Sequence, residues 1–141
     1  MKINIDYRFT SNPWGGGNQF LKALRRELIR VNKYSDLIKR ANAIIVNSHH
    51  FSYKLFCLYL IKPNLKIIHR IDGPISLTRN KKFLYIDKLI YFFSQNFSDG
   101  VIFQSVWSRN KNYKLGFKKK IINKIINNAP DKNIFNEQKK I

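Results

Sequence analysis

Apolar residues along this chain fall into two kinds of run: short blocks of branched residues without alternation, and longer stretches where apolar positions return every three or four residues. The blocks read as strands. "KINID" at residues 2–6 sets Ile3 and Ile5 on one face, and "AIIVNS" at 43–48, "KIIHR" at 66–70, "GVIFQS" at 100–105 and "KIIN" within 121–127 complete a set of five. The longer stretches read as helices. Phe20, Leu24, Leu28 and Val31 line one, Phe51, Leu55 and Leu58 a second, and Ile86, Ile90, Phe93 and Phe97 a third over residues 82–97. A short fourth helix runs through Leu115, with Ser105 placed to cap it.

Strands that are apolar without alternation and separated by helices predict a parallel sheet covered on both sides, a Rossmann-like α/β fold with helices on both faces. In such sheets ligands bind where the chain leaves the carboxyl ends of the strands. Those exits are "YRFTSNPWGGG", "NSHHF", "HRIDGP", "FQSVWS" and "NNAPD", and the unusual residues of the chain gather there.

At 141 residues and 44% hydrophobic, the chain can bury the core of one ordinary domain. Its first residues lack the continuous apolar core of a secretory signal. The apolar runs at 55–61 and 86–93 fall short of the roughly 20 residues a membrane-spanning helix needs. A cytoplasmic protein is expected. The single cysteine, Cys57, has no internal disulfide partner and reads as a buried, inert thiol. The formal charge of +19 fits nucleic acid, anionic lipid headgroups or phosphorylated substrates. A compositional bias toward Lys, Asn and Ile explains it equally well. The lysines are scattered, with short runs such as 118–120 and 139–140, and no nucleic-acid module is visible, so nucleic acid is the disfavoured partner.

Gly15, Gly16 and Gly17 precede an amphipathic helix, leaving bare amides at its positive end, an arrangement suited to phosphate. A plain surface loop is the competing reading. The pattern is neither a dinucleotide fingerprint nor a P-loop. "HRIDGP" brings His69, Arg70 and Asp72 together at a strand end, where they could orient hydroxyls, pair with an anion or stabilise developing charge. The same residues also suit a local turn network. His49 and His50, adjacent on a turn, are expected to diverge and lack further ligands, so no metal site is expected.

In their order and spacing, "MKINIDYRF", "PWGGGNQFLKAL", "VNSHHF", "IIHRIDGP", "SDGVIFQSVWSRN" and "IINNAPDKNIFN" resemble the N-terminal half of GT-B fold retaining glycosyltransferases, glycosyltransferase family 4 in particular. Asn128, Ala129, Pro130, Asp131 and Phe135 occupy the frame of that family's hinge, with Ala129 and Pro130 where Gly and Val are usual. The resemblance implies an acceptor-side domain over 1–127 and a hinge or linker over 128–141. It implies hexosyl transfer from a nucleotide-sugar donor to a glycan or lipid-linked acceptor, with neither cofactor nor metal. His69 and Asp72 are then the catalytic candidates. Gly15, Gly16, Gly17, Asn18, Arg70 and Ser105 are candidates for holding substrate and phosphate.

The segment 32–42 is short for the extra strand and helix many relatives carry. The sequence stops just after the hinge, before the family's donor-binding domain. The expectation is therefore a truncated enzyme, or one half of a split enzyme with a separate C-terminal chain as partner, placed in the cytoplasm or peripherally at a membrane. The alternative is a non-catalytic remnant or a basic module for nucleic acid or anionic membrane. Trp14 and Trp107 are expected to form an exposed aromatic patch facing the missing domain.

Overall fold

Five short strands, β1 (Ile3–Asp6), β2 (Ala43–Asn47), β3 (Lys66–Ile71), β4 (Gly100–Phe103) and β5 (Asn123–Ile125), form one parallel sheet in the order β1-β2-β3-β4-β5. The computed structural model describes residues 1–11, 16–52, 54–118 and 120–128; Trp14, Gly15 and the hinge residues from Ala129 onward lie outside the described residues.

Because side chains alternate along a strand, the fully buried β2 feeds two cores. Ile45 joins Ile5, Leu21 and Leu28 beneath α1 (Gly16–Arg30), while Ile44 and Val46 join Leu55 of α2 (Lys54–Ile61) and Phe93 of α4 (Leu84–Phe97). A third cluster, also under α4, joins Ile71, Val101 and Phe103 to Ile90 and Tyr91 of that helix and to Phe117, which follows α5 (Val106–Lys114). Helices thus cover both faces. The four-residue α3 (Ile75–Thr78) sits between β3 and α4.

The position of α1 raises a question of hand. In a parallel sheet of sequential order, crossovers are right-handed on only one face, and left-handed ones are rare. Helices α2, α4 and α5 share a face and α1 lies on the other, so a direct β1–α1–β2 step would be left-handed. The chain avoids this by a detour. After α1, residues 33–35 run beside the outer edge of β1, where Ile3 N–H donates to Lys33 O at 2.8 Å and Ser35 N–H to Ile3 O at 2.9 Å. Tyr34 forms a parallel bridge with Ile3 there. α1 therefore leads right-handedly to a one-bridge strand stub. The return to β2 passes through the 3-10 turn Ile38–Arg40, with Ile38 packed into the α2 layer. The spatial order is stub-β1-β2-β3-β4-β5, doubly wound, with its switch point between β1 and β2.

Two expectations need correction. Val31 lies past the end of α1 and is exposed, because Asn32 adopts φ 53° and closes the helix: Lys33 N–H bonds Leu28 O and Asn32 N–H bonds Ile29 O. Cys57 is exposed, not buried, because Leu55 and Leu58 take the inward row of α2 and leave Cys57 on its outer side.

Candidate functional site

The exits of β1, β2, β3 and β4 and the start of α1 surround a cleft of about 660 Å³ lined by Tyr7, Thr10, Gly17, Asn18, residues 47–50, Asp72, Gly73, Ile75, Thr78, Arg79, Gln104 and Trp107. It lies at the switch point, where the chain parts to opposite faces and leaves a crevice.

Arg70 lies behind the cleft wall, bonded to three of its lining residues, Asn47, Asp72 and Gln104. As the next residue after His69 on β3 it turns toward the α1 side, where it is fully buried. Its Nη1 donates to Asn47 Oδ1 and to Asp72 Oδ1, both at 2.5 Å, and its Nη2 to Asn128 Oδ1 at 2.9 Å and Gln104 Oε1 at 3.3 Å. The guanidinium also faces the Phe20 ring at 4.8 Å. A planar fork of donors can tie the ends of β2, β3 and β4 to the segment after β5; a lysine ammonium lacks that geometry. Gly17 lets α1 begin directly against this hub. A Cβ there would stand 3.5 Å from Asn47 Nδ2 and 3.7 Å from both Arg70 Nη1 and Asp72 Oδ2, and one on Gly16 would stand 3.7 Å from Asn128 Nδ2. The first turn of α1 carries no acidic residue to compete for its amides.

At the β2 exit Ser48 is buried with φ 51°, a left-handed conformation that costs a non-glycine residue energy and must be held by its surroundings. Its N–H donates to Arg70 O at 2.8 Å and its carbonyl accepts from His69 Nε2 at 2.7 Å. The kink directs His49 and His50 to the cleft. Their rings do not diverge as expected: the centroids are 4.0 Å apart with the planes tilted by 36°. Burial, and then the neighbouring His50 and Arg79, lower the His49 pKa below 6.5, with Asp72 opposing. His49 is thus a neutral imidazole at pH 7, able to accept a hydrogen bond.

His69 occupies the opposite face of β3. It is fully buried, edge-on to Phe93 and Phe51, and its Nδ1 lies 2.6 Å from Ser94 Oγ on α4. Burial lowers its pKa to about 4, although its bond to the Ser48 carbonyl pulls the other way. Because the Ser48 carbonyl can only accept, Nε2 carries the proton of the neutral ring and donates to it, while the single Ser94 hydroxyl proton faces both Nδ1 and Ile90 O, the latter at 2.7 Å. Both ring nitrogens are taken and the ring does not line the cleft. His69 acts through Ser48, by fixing the kink that presents His49.

The structure therefore brings Gly16, Gly17, Asn18, Arg70 and Asp72 together; of these Gly17, Asn18 and Asp72 line the cleft, Gly16 and Arg70 stand behind it, and His69 and Ser105 lie outside the lining. Gly15 lies outside the described residues. Asn18 is buried, its Nδ2 donating to Thr10 O at 3.4 Å. Ser105 caps α5, accepting from Ser108 N–H at 3.0 Å. Sequence reasoning did not single out Asn47, Arg79 and Gln104. The first and last sit at strand exits, and the signal they offered was that position. Asp72 and Gly73 are held from behind, Asn112 Nδ2 donating to Asp72 O and Tyr91 OH to Asn112 Oδ1. Trp107 is half-exposed and packs so closely on Gly73 that a Cβ there would lie 2.5 Å from its ring. Among the described residues no three His, Cys, Asp or Glu side chains are grouped as a metal site requires.

Fold and site together define a Rossmann-like α/β protein with a polar cleft at its switch point. No family model, curated protein or solved structure matches the chain.

Proposed function

We propose that this chain is the acceptor-side domain of a glycosyltransferase that moves a hexosyl group from a nucleotide sugar to a glycan or lipid-linked acceptor. The observation that carries this reading is the meeting in one cleft of the α1 start, bare at Gly17, with Asp72, which the buried Arg70 holds in place. When the bond between the sugar carbon and the phosphate breaks, negative charge builds on the departing phosphate. The α1 amides and Arg79 offer it positive dipole and charge. Across the cleft Asp72 Oδ2, Asn47, Gln104 and neutral His49 present groups that orient hydroxyls, and Trp107 offers an aromatic face to a sugar. The nucleotide is held by a second Rossmann-like domain, from the same gene product or another chain.

The test is turnover of a panel of nucleotide sugars by this chain, alone and mixed with such a domain, for wild type and Gly17→Ala. A Cβ at Gly17 makes only ordinary contacts, so the variant folds. Crowding the phosphate side should nonetheless lower kcat/KM roughly tenfold or more. A silent mixture of folded components, or a Gly17→Ala enzyme as fast as wild type, overturns the reading.

A further inference from the structure

We infer that the outer surface of the α2–α4 layer docks in the plane of an anionic lipid bilayer. The inference does not depend on the proposed chemistry, since this surface lies over the broad side of the sheet and not at the strand exits.

Helix α4 buries Ile90 and Phe93 inward, yet its outward row is also apolar: Tyr85, Leu89 and Phe92, at steps of four and three, are 65%, 50% and 58% exposed. A helix resting on a soluble domain normally carries polar residues there. Beside it α2 exposes Leu60 at 82%, Ile61 at 79% and the thiol-bearing Cys57. Aromatic contacts join the two helices, Phe97 lying 5.9 Å from Tyr59 and 6.0 Å from Phe92, so the patch is continuous.

The unpaired charge around the patch is of one sign. Lys81 and Lys82 precede α4, Lys88 lies beside its outward row, and Lys118 and Lys120 line a hollow at its far end with Gln95 and Asn96. The nearby carboxylates are committed: Asp87 faces inward onto Ile75 and Ser76, and Asp99 is bound by Lys66 and Ile67 N–H. Among the described residues the other acidic side chains belong to β1, α1, the loop after α1 and the cleft. An apolar centre ringed by lysines matches the acyl boundary and the anionic headgroups of a bilayer. A second copy fits poorly, because each chain carries +19 and the same lysines would meet. Among the described residues no helix is long and apolar enough to cross the membrane, so contact is made from one side.

The experiment uses the full chain labelled at Cys57, its single cysteine, with a polarity-sensitive probe, and vesicles of phosphatidylcholine with or without phosphatidylglycerol. The expected result is a blue shift and co-flotation with anionic vesicles, weakened by salt, and at least a roughly tenfold loss of partitioning in a Leu89→Gln, Phe92→Gln double variant of unchanged Tm. Three results would overturn the inference. The wild type could remain in solution with anionic vesicles. The variant could bind as well as wild type, leaving charge alone as the cause. Sedimentation could show a dimer that the double variant breaks, giving the patch to a second copy.

Discussion

The imidazole of His69 is enclosed by Ser48, Ser94, Phe51 and Phe93, and burial holds its pKa near 4 against 6.5 in an exposed histidine. Between those values the unfolded chain binds a proton that the folded chain refuses, so stability rises with pH across the window and is lost as pH falls from 6.5 toward 4. The histidine contributes about 2 kcal/mol to the loss between pH 7 and pH 5. His69→Gln keeps a donor for the Ser48 carbonyl and has no proton to gain. Urea midpoints at the two pH values should therefore differ by less in the variant, and equal slopes would remove His69 as the source. The sequence placed His69 and Arg70 together at a strand end, and alternation puts them on opposite faces. Which face borders the cleft was not legible, because that depends on where α1 comes to rest, far along the chain from β3. The strained φ of Ser48 was equally hidden, since its supports are Arg70 and His69.

Elements differ in how local their supports are. Ser105 was readable as a cap because its partner is Ser108, three residues on. The helix over 82–97 was readable because its inward row repeats every turn. Helix α3 has no such pattern. Its four residues are too few to hold a helix alone, and its first amides, Ile75 N–H and Ser76 N–H, are held at 2.8 Å and 3.0 Å by the Asp87 carboxylate reaching back from α4. That carboxylate is almost wholly buried, so removing it leaves two amides without acceptors. Asp87→Ala should cost about 2–3 kcal/mol by urea denaturation. Hydrogen exchange should quicken first across residues 73–79, loosening Ile75, Thr78 and Arg79 at the cleft. Uniform exchange with an unchanged midpoint would show that α3 has other support.

At the scale of the molecule, the α/β class and the strand-exit edge that carries the cleft were legible because period and strand exits are properties of short segments. The switch point was not, since it rests on one bridge between Ile3 and Tyr34 that no periodicity announces. Charge is the other whole-chain property. With 27 basic and 8 acidic residues the folded chain concentrates like charge. Among the described residues the exposed ion pairs relieve little of this: Arg25–Asp36, Arg30–Glu27 and Lys66–Asp99 each have a partner more than half exposed, and such pairs contribute at most about 1 kcal/mol apiece. Burial works against the Asp99 carboxyl, but Lys66 and the Ile67 amide outweigh it and hold its pKa below the ordinary value. Self-repulsion then dominates the surface electrostatics, and salt screens it over a length of roughly 10 Å at 0.1 M. The Tm should accordingly rise as sodium chloride is added from low ionic strength, while the same salt weakens attachment to anionic vesicles. The two slopes have opposite signs for one cause, the net charge. A Tm that falls with salt would mean that the exposed pairs outweigh the repulsion, and vesicle binding that withstands salt would shift its energy to Tyr85, Leu89 and Phe92 alone.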